Sequence, residues 1–142
     1  MTKRIISVLI LVSVLIAVCP TPFVMAESRA SDNITSCYVS LSSGSSSGEL
    51  NLSYKITAGM TGTTRLGILA IFVYRTDGSL ARVITGNTTN GLIQTSGAFA
   101  RGTYSFTCEP GTAYYCNVTF IAENANGSDV RSYTTNTVVA PF

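Results

Sequence analysis

A stretch of regular alternation at 114–122 constrains the fold of this chain more than any other feature. The residues Cys116, Val118, Phe120 and Ala122 recur at every second position. Such a period of two is typical of a β-strand with one buried face. A Pro-Gly-Thr turn at 110–112 precedes the stretch, and an Asn-rich loop at 124–128 follows it. The segment therefore predicts a strand bounded by turns.

The same period continues through the rest of the chain from residue 36 onward, without a convincing helical pattern. Clusters of Gly, Ser, Asn and Thr separate the alternating segments. The segment 66–74 is apolar on both faces and competes as a helix, but its β-branched and aromatic content favours a strand. Strands are predicted at 35–42, 49–57, 66–74, 80–85, 103–108, 114–123 and 129–139, with room for a short edge strand within 86–102. Regularly spaced short strands predict an all-β, antiparallel β-sandwich of about seven strands over 35–140.

The first residues read as an export signal. Lys3 and Arg4 precede an apolar run at 5–18, and small residues stand before position 27, which predicts a signal peptide at 1–26 with cleavage after Ala26. A membrane anchor is the alternative, but this run rises only about 21 Å as a helix, against a hydrocarbon core of roughly 30 Å. Lipid attachment at Cys19 is a third interpretation, which Val18 disfavours because the lipoprotein pattern has a small residue there.

Removal of the leader leaves a chain that is nearly neutral. About 116 residues remain, which suit one sandwich domain after a flexible segment at 27–34. Two of the nine basic residues leave with the leader, so the rest balance the seven acidic ones. A nucleic-acid partner needs a basic stripe, and a membrane-surface partner needs a basic face. We therefore expect a secreted protein with no membrane span after cleavage and no nucleic-acid partner.

The residues before the alternating strand resemble a fibronectin type III domain. That family introduces this strand with a buried residue, a polar residue, Pro-Gly-Thr and a Tyr, here Cys108, Glu109, 110–112 and Tyr114. The resemblance implies an immunoglobulin-like or fibronectin type III-like sandwich. The family usually buries a Trp on its second strand, where this chain has Tyr54.

Two further resemblances concern shorter motifs. The run Tyr114-Tyr115-Cys116 is similar to the segment before the inter-sheet disulfide of immunoglobulin domains. The partner cysteine on the strand at 49–57 is missing, so only a corner role for Tyr114, hydrogen-bonded back to the chain, is implied. The chain also resembles small exported bacterial proteins of unknown function, which share the start at 29–32 and a Gly-Ser-Asp-x-Arg segment at 127–131. That resemblance implies a bacterial extracellular setting.

Three cysteines follow the leader, and the alternation places each on an inner face. A disulfide between Cys108 and Cys116 is favoured because the crossover between them is short, which leaves Cys37 as a free or intermolecular thiol. Loop length does not choose between this pairing and one that uses Cys37. The alternative is that all three are reduced and fill the core as small apolar residues.

The chain shows no constellation that carries catalysis or binds a metal. It has no His, so a thiol has no base to activate it and no His-containing zinc site can form. The carboxylates Glu49, Glu109 and Glu123 have no motif that pairs them for acid and base catalysis. Asp129 with Asn124 and Asn126 could ligate calcium, but a polar loop accounts for the same residues. We expect no enzyme, no cofactor and no metal. The Asn-x-Ser/Thr triplets are expected to be unmodified, and they start at Asn33, Asn51, Asn87, Asn117 and Asn126.

The function predicted by elimination is a non-catalytic binding or adhesion module. Its ligand is an unknown protein or polysaccharide at the cell surface. The predicted binding residues are outward tyrosines and an aromatic residue of the long excursion at 86–102, namely Tyr38, Tyr115, Tyr133 and Phe99, with Leu92 and Ile93 beside the last. A carbohydrate-binding module is one alternative, since tyrosines stack on sugar rings. A self-associating structural protein that polymerises through sheet edges is the other.

Overall fold

The described part of the protein is built entirely from antiparallel β-sheets. A computed structural model describes residues 33–59 and 61–142, and within these ranges there is no helix. This confirms the all-β prediction. The predicted signal peptide at 1–26, Cys19 and the motif at 29–32 lie outside the described residues. The strands are β1 (Ile34–Ser43), β2 (Glu49–Ala58), β3 (Thr63–Arg75), β4 (Leu80–Thr85), β5 (Ile93–Gln94), β6 (Phe99–Thr107), β7 (Ala113–Asn124), β8 (Gly127–Thr134) and β9 (Val138–Val139).

The strands form two sheets in a sandwich-like arrangement. The first sheet has three strands in the order β1-β2-β6. The second has six strands, in the order β4-β3-β7-β8, with β5 paired to β3 and β9 paired to β7. All described pairings are antiparallel. Side chains from both sheets meet in one hydrophobic core.

The alternating segments supply the core because a period of two turns every second side chain inward. On β2 the inward set is buried as predicted, from Leu50 to Ile56. On β7 the buried set begins at Tyr114 and ends at Ala122. The resulting core list is Leu50, Leu52, Tyr54, Ile56, Tyr114, Cys116, Val118, Phe120 and Ala122, with further members from β1, β3 and β6.

The apolar strand β3 is a central strand, and a bulge explains why both of its faces are apolar. Its register with β7 shifts between Ile68 and Ala70, so the inward positions change parity along the strand. The outer face is partly covered by a stack between Tyr74 and Tyr115, whose ring centroids are 5.5 Å apart. The strand interpretation of 66–74 is therefore confirmed.

The turn before β7 is held by the predicted tyrosine corner. The buried Tyr114 hydroxyl accepts a hydrogen bond from the Glu109 backbone N–H at 3.2 Å. Gly111 has a φ of +76°, a conformation that L side chains rarely adopt. The Pro-Gly-Thr run thus reverses the chain, and Tyr114 ties the reversal to the core.

The beginning of β1 is part of the core. The prediction of a flexible segment at 27–34 is therefore wrong for its last two residues. Asn33 and Ile34 are both buried. The Ile34 backbone N–H donates to Oδ2 of Asp129 at 3.2 Å, and Arg131 Nη2 donates to the same oxygen at 3.2 Å. Asp129 and Arg131 of the Gly-Ser-Asp-x-Arg motif therefore anchor the first strand to β8.

Two predicted strand boundaries are wrong for identifiable reasons. β6 begins at Phe99 rather than 103, because residues in the Gly and Ser-rich excursion already pair with β2. The predicted strand 129–139 is two strands, separated at 135–137. Within that gap Asn136 exchanges two hydrogen bonds with the backbone of Leu41, at 3.0 and 2.9 Å. These bonds connect the segment between β8 and β9 to the edge of β1.

Candidate binding surface

Two exposed aromatic side chains lie on the outer face of the three-stranded sheet. Tyr38 of β1 is 61% exposed, and Phe99, the first residue of β6, is 55% exposed. The alternation of β1 turns Leu41 into the core and leaves Tyr38 outside, as predicted. Aromatic side chains are enriched in protein interfaces, so the two rings on this sheet face are candidates for ligand contact.

Two cations stand between these aromatic residues. Lys55 of β2 pairs with Tyr38 on one side and with Arg101 of β6 on the other. Both cations are exposed, and neither has an ion pair within the part of the chain that the structure describes. Like charges directly opposite each other on neighbouring strands are destabilising. Folding alone gives no reason for this pair.

The side chains enclose an open concavity of about 370 Å³. Its lining residues are Lys55, Thr57, Phe99 and Arg101, and Thr57 pairs with Phe99 across the two strands. These four residues together with Tyr38 are called the cationic aromatic face below. The sheet register fixes their backbone spacing, so the face is preformed by the fold.

The other two predicted tyrosines do not join this surface. Tyr115 is half-buried on the outer face of the larger sheet, stacked on Tyr74. Tyr133 pairs with the inward residue Val118 and makes an edge contact with Phe120, with ring centroids 6.0 Å apart. The prediction that Tyr133 lies on an outer face is therefore wrong. It occupies the core side of β8 at the margin of the sheet.

The excursion at 86–102 contributes less surface than predicted. Leu92 and Ile93 are both buried, and the Leu92 carbonyl accepts the Ile68 N–H at 2.8 Å. Gly67 makes this approach feasible, because a Cβ there would overlap the Leu92 backbone oxygen. Of the three large apolar residues in the excursion, Phe99 is the one on the surface.

Comparison with known proteins adds no identification. No protein-family model matches the chain, and no curated protein is similar to it. The fibronectin type III resemblance stays a prediction from the residues around Tyr114. The ligand class must follow from the chemistry of the cationic aromatic face.

The three cysteines are unbonded thiols in this structure, and the disulfide between Cys108 and Cys116 stays a prediction. Burial raises the pKa of Cys116 to about 12, with a smaller contribution from Cys108. Burial raises the pKa of Cys37 to about 11, although the charge of Arg131 opposes the shift. Burial also raises the pKa of Cys108. All three thiols are therefore protonated near neutral pH, and thiolate chemistry is disfavoured.

Each described carboxylate has a structural contact. Glu49 accepts the backbone N–H groups of Ser45 and Ser46, both at 3.0 Å, and these bonds lower its pKa. Hydrogen bonds from Ser79 likewise lower the pKa of Asp77. Ion pairs join Glu123 to Arg65 at 3.2 Å and Glu109 to Arg75 at 3.8 Å, while Asp129 holds β1.

The structure also bears on the metal site and the membrane span considered from the sequence. Asn124 Oδ1 accepts the Asn126 N–H at 2.8 Å, so one proposed calcium ligand shapes the loop instead. No cluster of three or more His, Cys, Asp or Glu side chains that could hold a metal occurs in the described ranges. A membrane-spanning helix is also not found among the described residues.

The sequence interpretation missed the two cations of the surface. The alternation at 49–57 already placed Lys55 on the polar side of β2, so its exposure could have been used. Arg101 lies in the excursion at 86–102, where the sequence leaves room only for a short edge strand, and its position opposite Lys55 depends on the pairing of β2 with β6. Only that strand pairing places Lys55 and Arg101 next to each other.

Proposed function

We propose that the chain is a secreted, non-catalytic binding or adhesion module of bacterial origin. Its cationic aromatic face contacts the ligand, and a fibronectin type III-like sandwich carries that face. The observation that carries the proposal is the placement, on one sheet face, of two exposed aromatic rings beside two cations that have no ion pair among the described residues. Such residues stabilise contacts with a partner more than they stabilise the fold.

The strand order supports the proposed family. In immunoglobulin-like sandwiches the first, second and fifth strands share one sheet, and the third, sixth and seventh share the other. Here β1, β2 and β6 form one sheet, while β3, β7 and β8 lie together in the other. The fourth long strand, β4, pairs with β3 rather than with β6, which favours the fibronectin type III-like form over a constant-type immunoglobulin domain. The Tyr114 corner adds a second similarity.

The chemistry of the described side chains supports a non-catalytic role. The thiols have raised pKa values, and the described carboxylates are used in turns, ion pairs and the anchoring of β1. A general base or nucleophile needs a free and activated group next to the substrate. The cationic aromatic face offers side chains that bind a ligand, but none of them is an activated base or nucleophile.

Co-sedimentation tests the proposal directly. Residues 27–142 include all nine described strands and the described core, so this fragment is mixed with purified bacterial cell wall, mucin and insoluble polysaccharides. We expect saturable binding to at least one of these surfaces. The double variant Tyr38→Ala with Phe99→Ala is expected to lose that binding, while its circular dichroism spectrum is unchanged.

The matched control is Tyr115→Ala, which removes an aromatic ring from the other sheet. It is expected to bind as the parent protein does. Loss of binding in Tyr115→Ala with retention in the double variant would place the ligand on the other sheet. An absence of binding to every surface would contradict the adhesion role.

A self-associating structural role is the second candidate, and one observation favours it. β4 pairs only with β3 and exposes Leu80 and Val83. An exposed apolar edge strand is a template for pairing with another chain. Sedimentation velocity tests this role: concentration-dependent dimers that Val83→Lys removes would support it, and a monomer at all concentrations would exclude it.

A further inference from the structure

The cationic aromatic face carries a positive charge that no acid of the described residues pairs with. Lys55 and Arg101 are the only charged residues on β1, β2 and β6 besides Glu49. Glu49 lies six positions from Lys55 on the same strand, about 20 Å away at strand rise, and its carboxylate is bound to the loop before β2. The acid therefore does not neutralise the pair, and an anionic ligand would.

The rest of this sheet face carries short polar side chains. They are Ser36, Ser40, Ser42, Asn51, Ser53, Thr57, Thr103, Ser105 and Thr107. Several pair with each other across the strands, as Ser53 does with Thr103 at 3.2 Å. A surface of hydroxyl groups offers donors and acceptors to a polyhydroxylated ligand.

The aromatic residues fit the same type of ligand. Tyr38 lies in the row of the two cations, and Phe99 lies one row further along the sheet. The open concavity of about 370 Å³ beside Phe99 leaves space for a sugar ring next to the aromatic side chain. A sugar ring can place its apolar face on an aromatic ring while an acidic substituent meets Arg101, whose planar guanidinium suits a carboxylate.

We infer that the cationic aromatic face binds a linear polysaccharide whose sugar rings carry carboxylate groups, of the uronic acid type. This inference rests on the proposed binding role of the same face. Two cations suffice for a ligand with spaced carboxylates, whereas nucleic-acid binding depends on many phosphate contacts. The hydroxyl groups around the two cations favour a polysaccharide over an acidic peptide.

The test compares two forms of one polysaccharide. Calorimetric titration of residues 27–142 is done with polygalacturonate and with its full methyl ester, which has the same backbone without charge. We expect the ester to bind at least about tenfold more weakly. Lys55→Met and Arg101→Met should each weaken polygalacturonate binding about fivefold, and the double variant about 25-fold. Arg75→Met, which removes a half-buried charge from the other sheet, should have no effect.

The outcomes separate this inference from the proposed function. Equal affinity for the acid and the ester would overturn the charge argument while leaving a binding face. Binding to cell wall that depends on Tyr38 and Phe99, without binding to polygalacturonate, would overturn the acidic ligand and retain the module. If the Met variants unfold at or above the melting temperature of the parent protein, the lost affinity does not come from lost folding.

Discussion

Removal of one hydroxyl group, in Tyr114→Phe, should measurably destabilise the protein. The Tyr114 side chain is 1% exposed, and its hydroxyl accepts the Glu109 N–H at 3.2 Å. The variant leaves the ring in the core but removes this acceptor. A hydrogen bond contributes about 0.5–1.5 kcal/mol net, and an unsatisfied buried donor costs about 1–3 kcal/mol. Because the Glu109 backbone is only partly buried, we expect a loss of about 1.5 kcal/mol.

Urea denaturation measures this loss. With a slope of about 2 kcal/mol per M for a small domain, the midpoint should fall by about 0.7 M. The adjacent Tyr115 provides the control, because it stacks on Tyr74 and its hydroxyl makes no hydrogen bond within the described residues. Tyr115→Phe should therefore shift the midpoint by less than about 0.2 M. Equal shifts in the two variants would refute the corner.

Other consequences of the account can be measured independently. The proposed signal peptide predicts that mass spectrometry of protein from the culture medium gives an N-terminus at Glu27, whereas a lipid-modified Cys19 would contradict cleavage after Ala26. Gly67→Ala should cost more than about 3 kcal/mol by chemical denaturation, because its φ is +145° and a Cβ would meet the Leu92 backbone. Gly62→Ala, with φ +73° and open space around it, should cost only about 1 kcal/mol, and equal costs would contradict the close approach. The raised pKa of Cys116 favours the protonated thiol in the folded state, so its contribution is complete below the ordinary value of 9.0 and is lost as the pH rises toward about 12. In the reduced protein the Cys116 contribution to the free energy of unfolding should fall in that window by about 1.4 kcal/mol per pH unit, in addition to the contributions of Cys37 and Cys108, and Cys116→Ala should remove this part of the slope. A disulfide between Cys108 and Cys116 in the oxidised protein would also remove it.

Local alternation correctly predicts strands in which every second side chain is buried. On β2, Leu50 to Ile56 follow the period of two and are buried as expected. On β8 the same reasoning fails, because Val130 is exposed and Asp129 is buried. The carboxylate takes an inward position where it accepts the Ile34 N–H. Because the polar Asp129 faces the core, Tyr133, four positions further along the strand, lies on the same side and not on the outer face as predicted.

The candidate surface depends on pairings that alternation does not reveal. Tyr38 and Phe99 could be proposed as exposed aromatic residues, but their common face requires β2 to lie between β1 and β6. The residues of β6 that precede 103 lie in a Gly and Ser-rich stretch, so the predicted strand begins too late and leaves out Arg101. Leu92 and Ile93 are buried through contacts with β3, which are distant in sequence. Non-local pairing therefore decides both what is exposed and what lies together.

The central claim is that the cationic aromatic face is where the ligand binds. Nuclear magnetic resonance maps this directly, by titration of isotopically labelled residues 27–142 with a short oligogalacturonate. The account predicts that the largest amide shifts occur at Tyr38, Lys55, Phe99 and Arg101, on adjacent strands of one sheet. Largest shifts around Tyr115 or along β4, or no shifts at saturating ligand, would contradict it.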